Sequence, residues 1–262
     1  MNEIYFGFFV SLLAGFIGSM VGVGGGIING PFLSFLNYPP PQISATSLIA
    51  VFFTSLSSSI QFFRKRLIKN KTGSILAASA IPGTIIGVYI SNYFTIEQFR
   101  FSFAIILLCT ATYLMLRHKL FAIQNSESDV NTELTFASHI RLIFLISLSF
   151  LAGIVSSSFG VGGGIIFVPC LIIIMRFSIK NSSATSQFAL IFTSFSGLLL
   201  FILQGKPDYQ MGLILSIGSI IGGTLGGFLA TRIDSSLLLR IFSGLLIVVS
   251  LKLIYDATTI LK

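Results

Sequence analysis

Read for apolar and polar positions alone, the chain is a series of long hydrophobic stretches separated by short polar gaps. Apolar runs cover residues 4–21, 43–63, 73–94 and 99–116, and the pattern restarts with 141–159, 183–203, 210–231 and 237–255. Their lengths are close to the ~20 residues that a helix needs to cross a hydrocarbon core of ~30 Å. Two shorter runs, 27–36 and 165–175, are too short to cross alone. Pro39-Pro40-Pro41 is expected to form a loop, since prolines cannot continue a helix. The stretch 117–140, with its Ser, Asn and acidic residues, is the long polar segment. It reads as a linker between a first transmembrane repeat, 1–116, and a second, 141–262.

Two interruptions break this pattern at matched places. Gly22-Val23-Gly24-Gly25-Gly26-Ile27-Ile28, followed by Pro31 and Leu33, returns as Gly160-Val161-Gly162-Gly163-Gly164-Ile165-Ile166, followed by Pro169 and Leu171. Each glycine weakens a helix by roughly 0.8–1 kcal/mol relative to alanine. Broken backbone survives in lipid only where it is buried in protein or lines a cavity. Aligning Ala14 with Ala152 matches 12 of 20 positions through Leu33 and Leu171. A one-residue shift then aligns Ser44-Ala45-Thr46-Ser47 with Ser183-Ala184-Thr185-Ser186, and Thr54-Ser55 with Thr193-Ser194. Identity at such constant offsets marks an internal duplication. A straight helix over residues 4–36 would be about 50 Å long, against a core of about 30 Å. The chain is therefore expected to fold back at each break, like a re-entrant hairpin, with a half-helix returning toward the starting side. Each half then crosses an odd number of times, so the fold class expected is an all-α integral membrane protein of two inverted repeats. With the basic gaps inside, residues 64–71 and 117–140 face the cytoplasm and the N-terminus faces out.

Composition sharpens the class. The 262 residues are 54% hydrophobic and 9% charged, with 27 Phe and no Trp, which no soluble domain of this size can bury. The net charge of +8 lies in the gaps between apolar runs, so it reads as a topology signal and excludes nucleic acid as a partner. Cys109 and Cys170 form neither a disulfide framework nor a metal motif. Met1-Asn2-Glu3 lacks a basic n-region, so the first run is expected to be retained rather than cleaved. The glycine breaks are not nucleotide loops: the sixth position of G-x-G-x-x-G is Ile27 or Ile165, and no Walker lysine follows. No cofactor is expected. No Asp, Glu, Lys, Arg or His sits well inside a predicted span, leaving neither a carboxylate relay for protons nor a catalytic cluster. An enzyme is thereby disfavoured.

The candidate binding residues follow from helix physics. A half-helix starting after each break presents unpartnered N–H groups and the positive end of its dipole. Two such ends facing one another make an anion site without a cationic side chain. The candidates are Gly22, Gly24, Gly25 and Gly26 with Gly160, Gly162, Gly163 and Gly164. Hydroxyls at helical spacing, Ser47, Thr54 and Ser57 in one half and Ser186, Thr193 and Ser196 in the other, form a second candidate lining. Interhelical hydrogen bonding is the competing role for these hydroxyls, and close helix packing for the glycines. Asn29 is a further donor whose counterpart is Phe167, so any site is asymmetric.

The doubled pattern A-G-x-x-x-x-x-x-G-V-G-G-G-I-I-x-x-P, at Ala14–Pro31, resembles the TauE/SafE family of sulfite exporters. The resemblance extends from Ala14 to about Ile254, leaving out the termini and residues 117–139. It implies a multi-pass inner-membrane permease moving sulfur-containing anions such as sulfite or organosulfonates, mostly outward. The partners implied are a small anion and the lipid bilayer, and a homo-oligomer stays open. The alternatives are a permease for another small anion and a membrane-embedded protein that does not transport.

Overall fold

The computed structural model describes residues 2–121, 138–230, 232 and 235–259, and among them every regular element is a helix. In chain order these are α1 (Asn2–Val21), α2 (Gly26–Phe35), α3 (Pro40–Arg64), α4 (Asn70–Ser91) and α5 (Ile96–Phe121). After them come α6 (Ser138–Phe159), α7 (Gly164–Ile173), α8 (Ile179–Leu203), α9 (Tyr209–Leu229) and α10 (Ser235–Thr259). The pattern short–long–long–long after each break repeats, as the duplication requires. Five of the helices, α3, α4, α6, α8 and α9, are long and apolar enough to span a bilayer.

Side chains are sorted inside out. Large apolar groups such as Phe6, Phe9, Phe63, Ile143, Leu213 and Val248 are exposed, while the serines and threonines of α3, and those of α8 except Ser196, are buried. Water would penalise so large an apolar surface, whereas lipid tails do not. The chain is a multi-pass helical membrane protein.

Two sequence expectations change. The helix α3 begins at Pro40, with Pro39 as its N-cap at φ −61°, rather than after a three-proline loop. Proline suits the first helical turn, where its missing N–H would have had no partner. The helix α5 continues to Phe121, beyond the boundary at 116, and residues 122–137 of the linker lie outside the described residues.

Each half-helix turns back on the helix before it. Gly25 lies beside Ala14, Asn29 donates to Ser11, and the Phe32 ring packs 5.7 Å from that of Phe6. Rising numbers on α2 thus meet falling numbers on α1. In the second half Gly163 lies beside Ala152, and Leu171 shares a cluster with Leu145.

The halves interlock by exchanging partners. Helix α1 packs along α9, with Gly7 beside Met211 and Ser11 donating to the Leu215 carbonyl, while Gly226 sits beside Ser19. The equivalent pair, α6 and α4, makes the same parallel contact, with Gly83 against Phe150 and Ser158 donating to the Gly87 carbonyl. Glycine at these crossings lets backbones meet. At the centre the equivalent helices α3 and α8 run antiparallel: Ala45 and Leu48 cluster with Leu198 and Phe201, and Phe62 with Ala184.

The loops separate into two ends. The Lys69 N–H donates to Thr185 at 3.1 Å and the Arg232 guanidinium lies 4.6 Å from the Phe228 ring, which places the α3–α4 and α9–α10 connections and the start of α8 together. There burial, and then Arg232 and Lys180, lower the pKa of the Lys65 ammonium. Lys65 also donates to the Phe228 carbonyl at 2.7 Å, putting a cation at the negative end of α9. At the other end the Tyr38 hydroxyl donates to Asp208, and Asn92 to Gln204.

Candidate functional site

The site is built where the two breaks cross. Gly22, Gly24, Gly160, Gly162 and Gly163 have φ between +70° and +91°, the left-handed region in which a Cβ is strained. Contact explains Gly26 and Gly164. A Cβ on Gly26 would lie 2.6 Å from the Val161 Cα, and one on Gly164 would lie 2.6 Å from the Val23 Cα. Backbone therefore packs directly on backbone, and reciprocally.

Serines strap this crossing, each from the opposite half. Ser44 and Ser47 of α3 donate to the carbonyls of Ser158 and Gly160, both at 2.8 Å. Ser183 and Ser186 of α8 donate to those of Val21 and Gly22, at 3.0 and 2.6 Å. The strapped carbonyls are those that a continuous helix would have engaged, so the hydroxyls replace what the break removes. Spacing i, i+3, i+7 carries the same face of α3 on to Val51, and that of α8 on to Leu190. A Cβ on Gly24 would meet Val51 at 3.0 Å and Leu190 at 3.4 Å. One on Gly162 would meet the same two side chains, at 2.5 and 3.1 Å. Both are near the middle of 25-residue helices, so the crossing sits at mid-depth.

The half-helix N-termini converge here unsatisfied. Among the described residues, no carbonyl or capping side chain accepts from the N–H groups of Gly25, Gly26 and Ile27, or of Gly163, Gly164 and Ile165. Both glycine breaks are buried throughout. Six oriented N–H groups and two positive dipole ends in a buried interior favour negative charge. A guanidinium steadies the far end of α2. Arg100, 3% exposed, donates to the Ser34 carbonyl at 2.7 Å and to Asn37 Oδ1 at 2.8 Å, opposite the negative end of the half-helix dipole.

The sequence-predicted residues divide. All eight glycines gather at the crossing, and Ser47 and Ser186 reach it as straps. Thr193 lies 3.4 Å from the Gly162 carbonyl and equally from two carbonyls of its own helix. Thr54 donates to Ala50 in its own helix, and Ser57 to Thr54, both against Gly223 of α9. Ser196 pairs with Thr84 of α4. Asn29 flanks the first break but donates to Ser11. The structure adds Ser44, Ser183, Val51, Leu190, Gln187 and Arg100. The two serines carried a signal in the repeated Ser-Ala-Thr-Ser, whereas Arg100, at the very start of the apolar run 99–116, carried none and is buried.

A polytopic helical protein with paired half-helices meeting at mid-depth has the architecture of a membrane transporter. Residues 7–253 match the family described as Sulfite exporter TauE/SafE, and the chain belongs to that family of membrane transporters. It is 29% identical to the probable membrane transporter protein YunE of Bacillus subtilis, over 94% of this chain and 96% of that one. It is 26% identical to the probable membrane transporter protein YfcA of Escherichia coli K12, over 95% and 89%. The probable membrane transporter protein MJ0441 of Methanocaldococcus jannaschii is also 26% identical, over 92% of each chain. No solved structure matches.

Proposed function

We propose that the protein is an inner-membrane permease that moves small sulfur-containing anions, such as sulfite or an organosulfonate, chiefly outward and without a cofactor. The observation that carries this reading is the crossing itself, where the unpartnered N–H groups of α2 and α7 meet at mid-depth. A site of backbone donors holds an anion loosely, at roughly 0.3–2 kcal/mol per helix end, so the anion can leave again. The family's description as a sulfite exporter supports the choice of anion.

The two halves act as inverted repeats, a reading supported by the antiparallel run of α3 and α8. Alternating access then comes from rocking the interlocked helix pairs about the crossing. The end holding Lys65, Lys180 and Arg232 faces the cytoplasm, in keeping with the bias of Lys and Arg toward that side.

Proteoliposomes holding the purified protein and loaded with sulfite test this reading. Efflux above protein-free vesicles is expected, and Gly25→Ala should slow it while the protein stays folded. Folded protein that passes neither sulfite nor a small sulfonate overturns the reading.

A further inference from the structure

Gln187 is the amide that α8 places at the first break, one position after the strap Ser186. It is fully buried, and its Nε2 donates to the Gly18 carbonyl at 2.9 Å. That carbonyl also gathers the N–H groups of Gly22, Val23 and Gly24, at 3.0, 2.9 and 3.2 Å. A carbonyl only accepts, so the amide orientation is fixed and Oε1 faces away from Gly18. Oε1 is buried with no hydrogen-bond partner. Ser55 is also fully buried, and its hydroxyl, likewise unpartnered, lies 3.8 Å from where a Gly24 Cβ would stand. Asn29 Oδ1, beside Gly25, is a third such atom, and since buried polar atoms are normally satisfied, three orphans beside one break ask for a partner.

The second break lacks all three. By the register that matches Ser47 to Ser186, Leu48 stands in the place of Gln187 and packs with Ala45, Leu198 and Phe201. Ser194 stands in the place of Ser55, and its hydroxyl is satisfied on the Leu190 carbonyl at 2.5 Å. The first break therefore offers amide oxygens beside its N–H donors, whereas at the second Leu48 and Phe167 stand in place of the two amides and the unpartnered group is the Ser156 hydroxyl. An anion with oxygen acceptors alone leaves Oε1 of Gln187 unsatisfied, whereas a ligand bearing an O–H or N–H next to its charge satisfies it.

We propose that Gln187, seconded by Ser55, makes the site selective for small anions that carry a hydrogen-bond donor beside the anionic group. The class comprises hydroxy- or amino-substituted sulfonates and carboxylates and singly protonated oxyanions. This inference rests on the reading of the crossing as an anion site and deepens it.

The matched probes are 2-hydroxyethanesulfonate and ethanesulfonate, which differ by one hydroxyl. Their dissociation constants are measured by thermal stabilisation of the full-length protein in detergent. The wild type should bind the hydroxylated probe roughly three- to tenfold more tightly, the range of one hydrogen bond. Gln187→Leu, which installs the residue of the other repeat, should bring the ratio to about one. Gln187→Met serves the same purpose should the first variant not fold. A global loss of stability would not move this ratio. Equal affinities in the wild type, a preference that survives in both variants, or binding of neither sulfonate overturns the inference. Ethanesulfonate or sulfite binding without the preference leaves the anion site standing, while failure of all three anions to bind removes both readings.

Discussion

At the first break, α2 starts from Gly25 at φ −78°, carries Asn29 one turn on, and ends under the Arg100 guanidinium. At the second, α7 starts from Gly163 at φ +81°, carries Phe167 at the equivalent place, and closes on its own backbone, Ile174 N–H to Cys170 carbonyl. The straps, the backbone contacts and the Val51–Leu190 pair are common to both. Features that hold the crossing together were kept through the duplication, and the polar features around it diverged. A frame needs symmetry to close on itself, but the recognition of one small ligand does not.

The largest test of the shared frame is Gly26→Ala against Gly164→Ala. Each Cβ enters the opposite break at 2.6 Å from a Cα, where no side chain can yield. Both variants should lose about 3 kcal/mol or more, the upper range for overpacking, read as a matched fall in melting temperature in detergent. A large effect in one variant only would break the symmetry of the frame.

Arg100→Met tests the divergent part and should cost about 1.5–3 kcal/mol, the worth of hydrogen bonds to a charged group. Chemical denaturation of the folded protein measures it, and Arg100→Lys should recover part of the loss. Next in size is the contrast between Gly163→Ala and Gly25→Ala. The left-handed φ at Gly163 adds roughly 1–2 kcal/mol of strain that Gly25 does not incur. Melting temperatures should fall further for Gly163→Ala, while Gly25→Ala shows its effect in anion affinity. Smallest are Ser47→Ala and Ser186→Ala, each leaving one strapped carbonyl bare for about 1 kcal/mol, equal within error by denaturation.

The helices and both breaks were legible from the sequence, because runs of about 20 apolar residues and clustered glycines have few other physical outcomes in a bilayer. The fold-back was legible too, since residues 4–36 are too long for one crossing. The role of the hydroxyls was not. A serine that strengthens a neighbour's backbone and one that lines a ligand site have the same spacing, and only the contact of Ser47 with Gly160 separates them. Gln187 could not be singled out for a related reason. Every face of α8 is apolar enough to meet another helix, so periodicity does not say which face meets the break. Arg100 lay at a span end, where an exposed anchor and a buried helix cap look alike in sequence.

The crossed straps also bear on how the chain is made. Ser183 and Ser186 lie more than 160 residues after the carbonyls of Val21 and Gly22 that they serve. During synthesis the first break therefore enters the membrane with those carbonyls still lacking their donors. It must be sheltered, by water or by the insertion machinery, until α8 emerges. Half the protein cannot complete even its own half, and a truncated first repeat should be handed to quality-control proteases rather than to the bilayer.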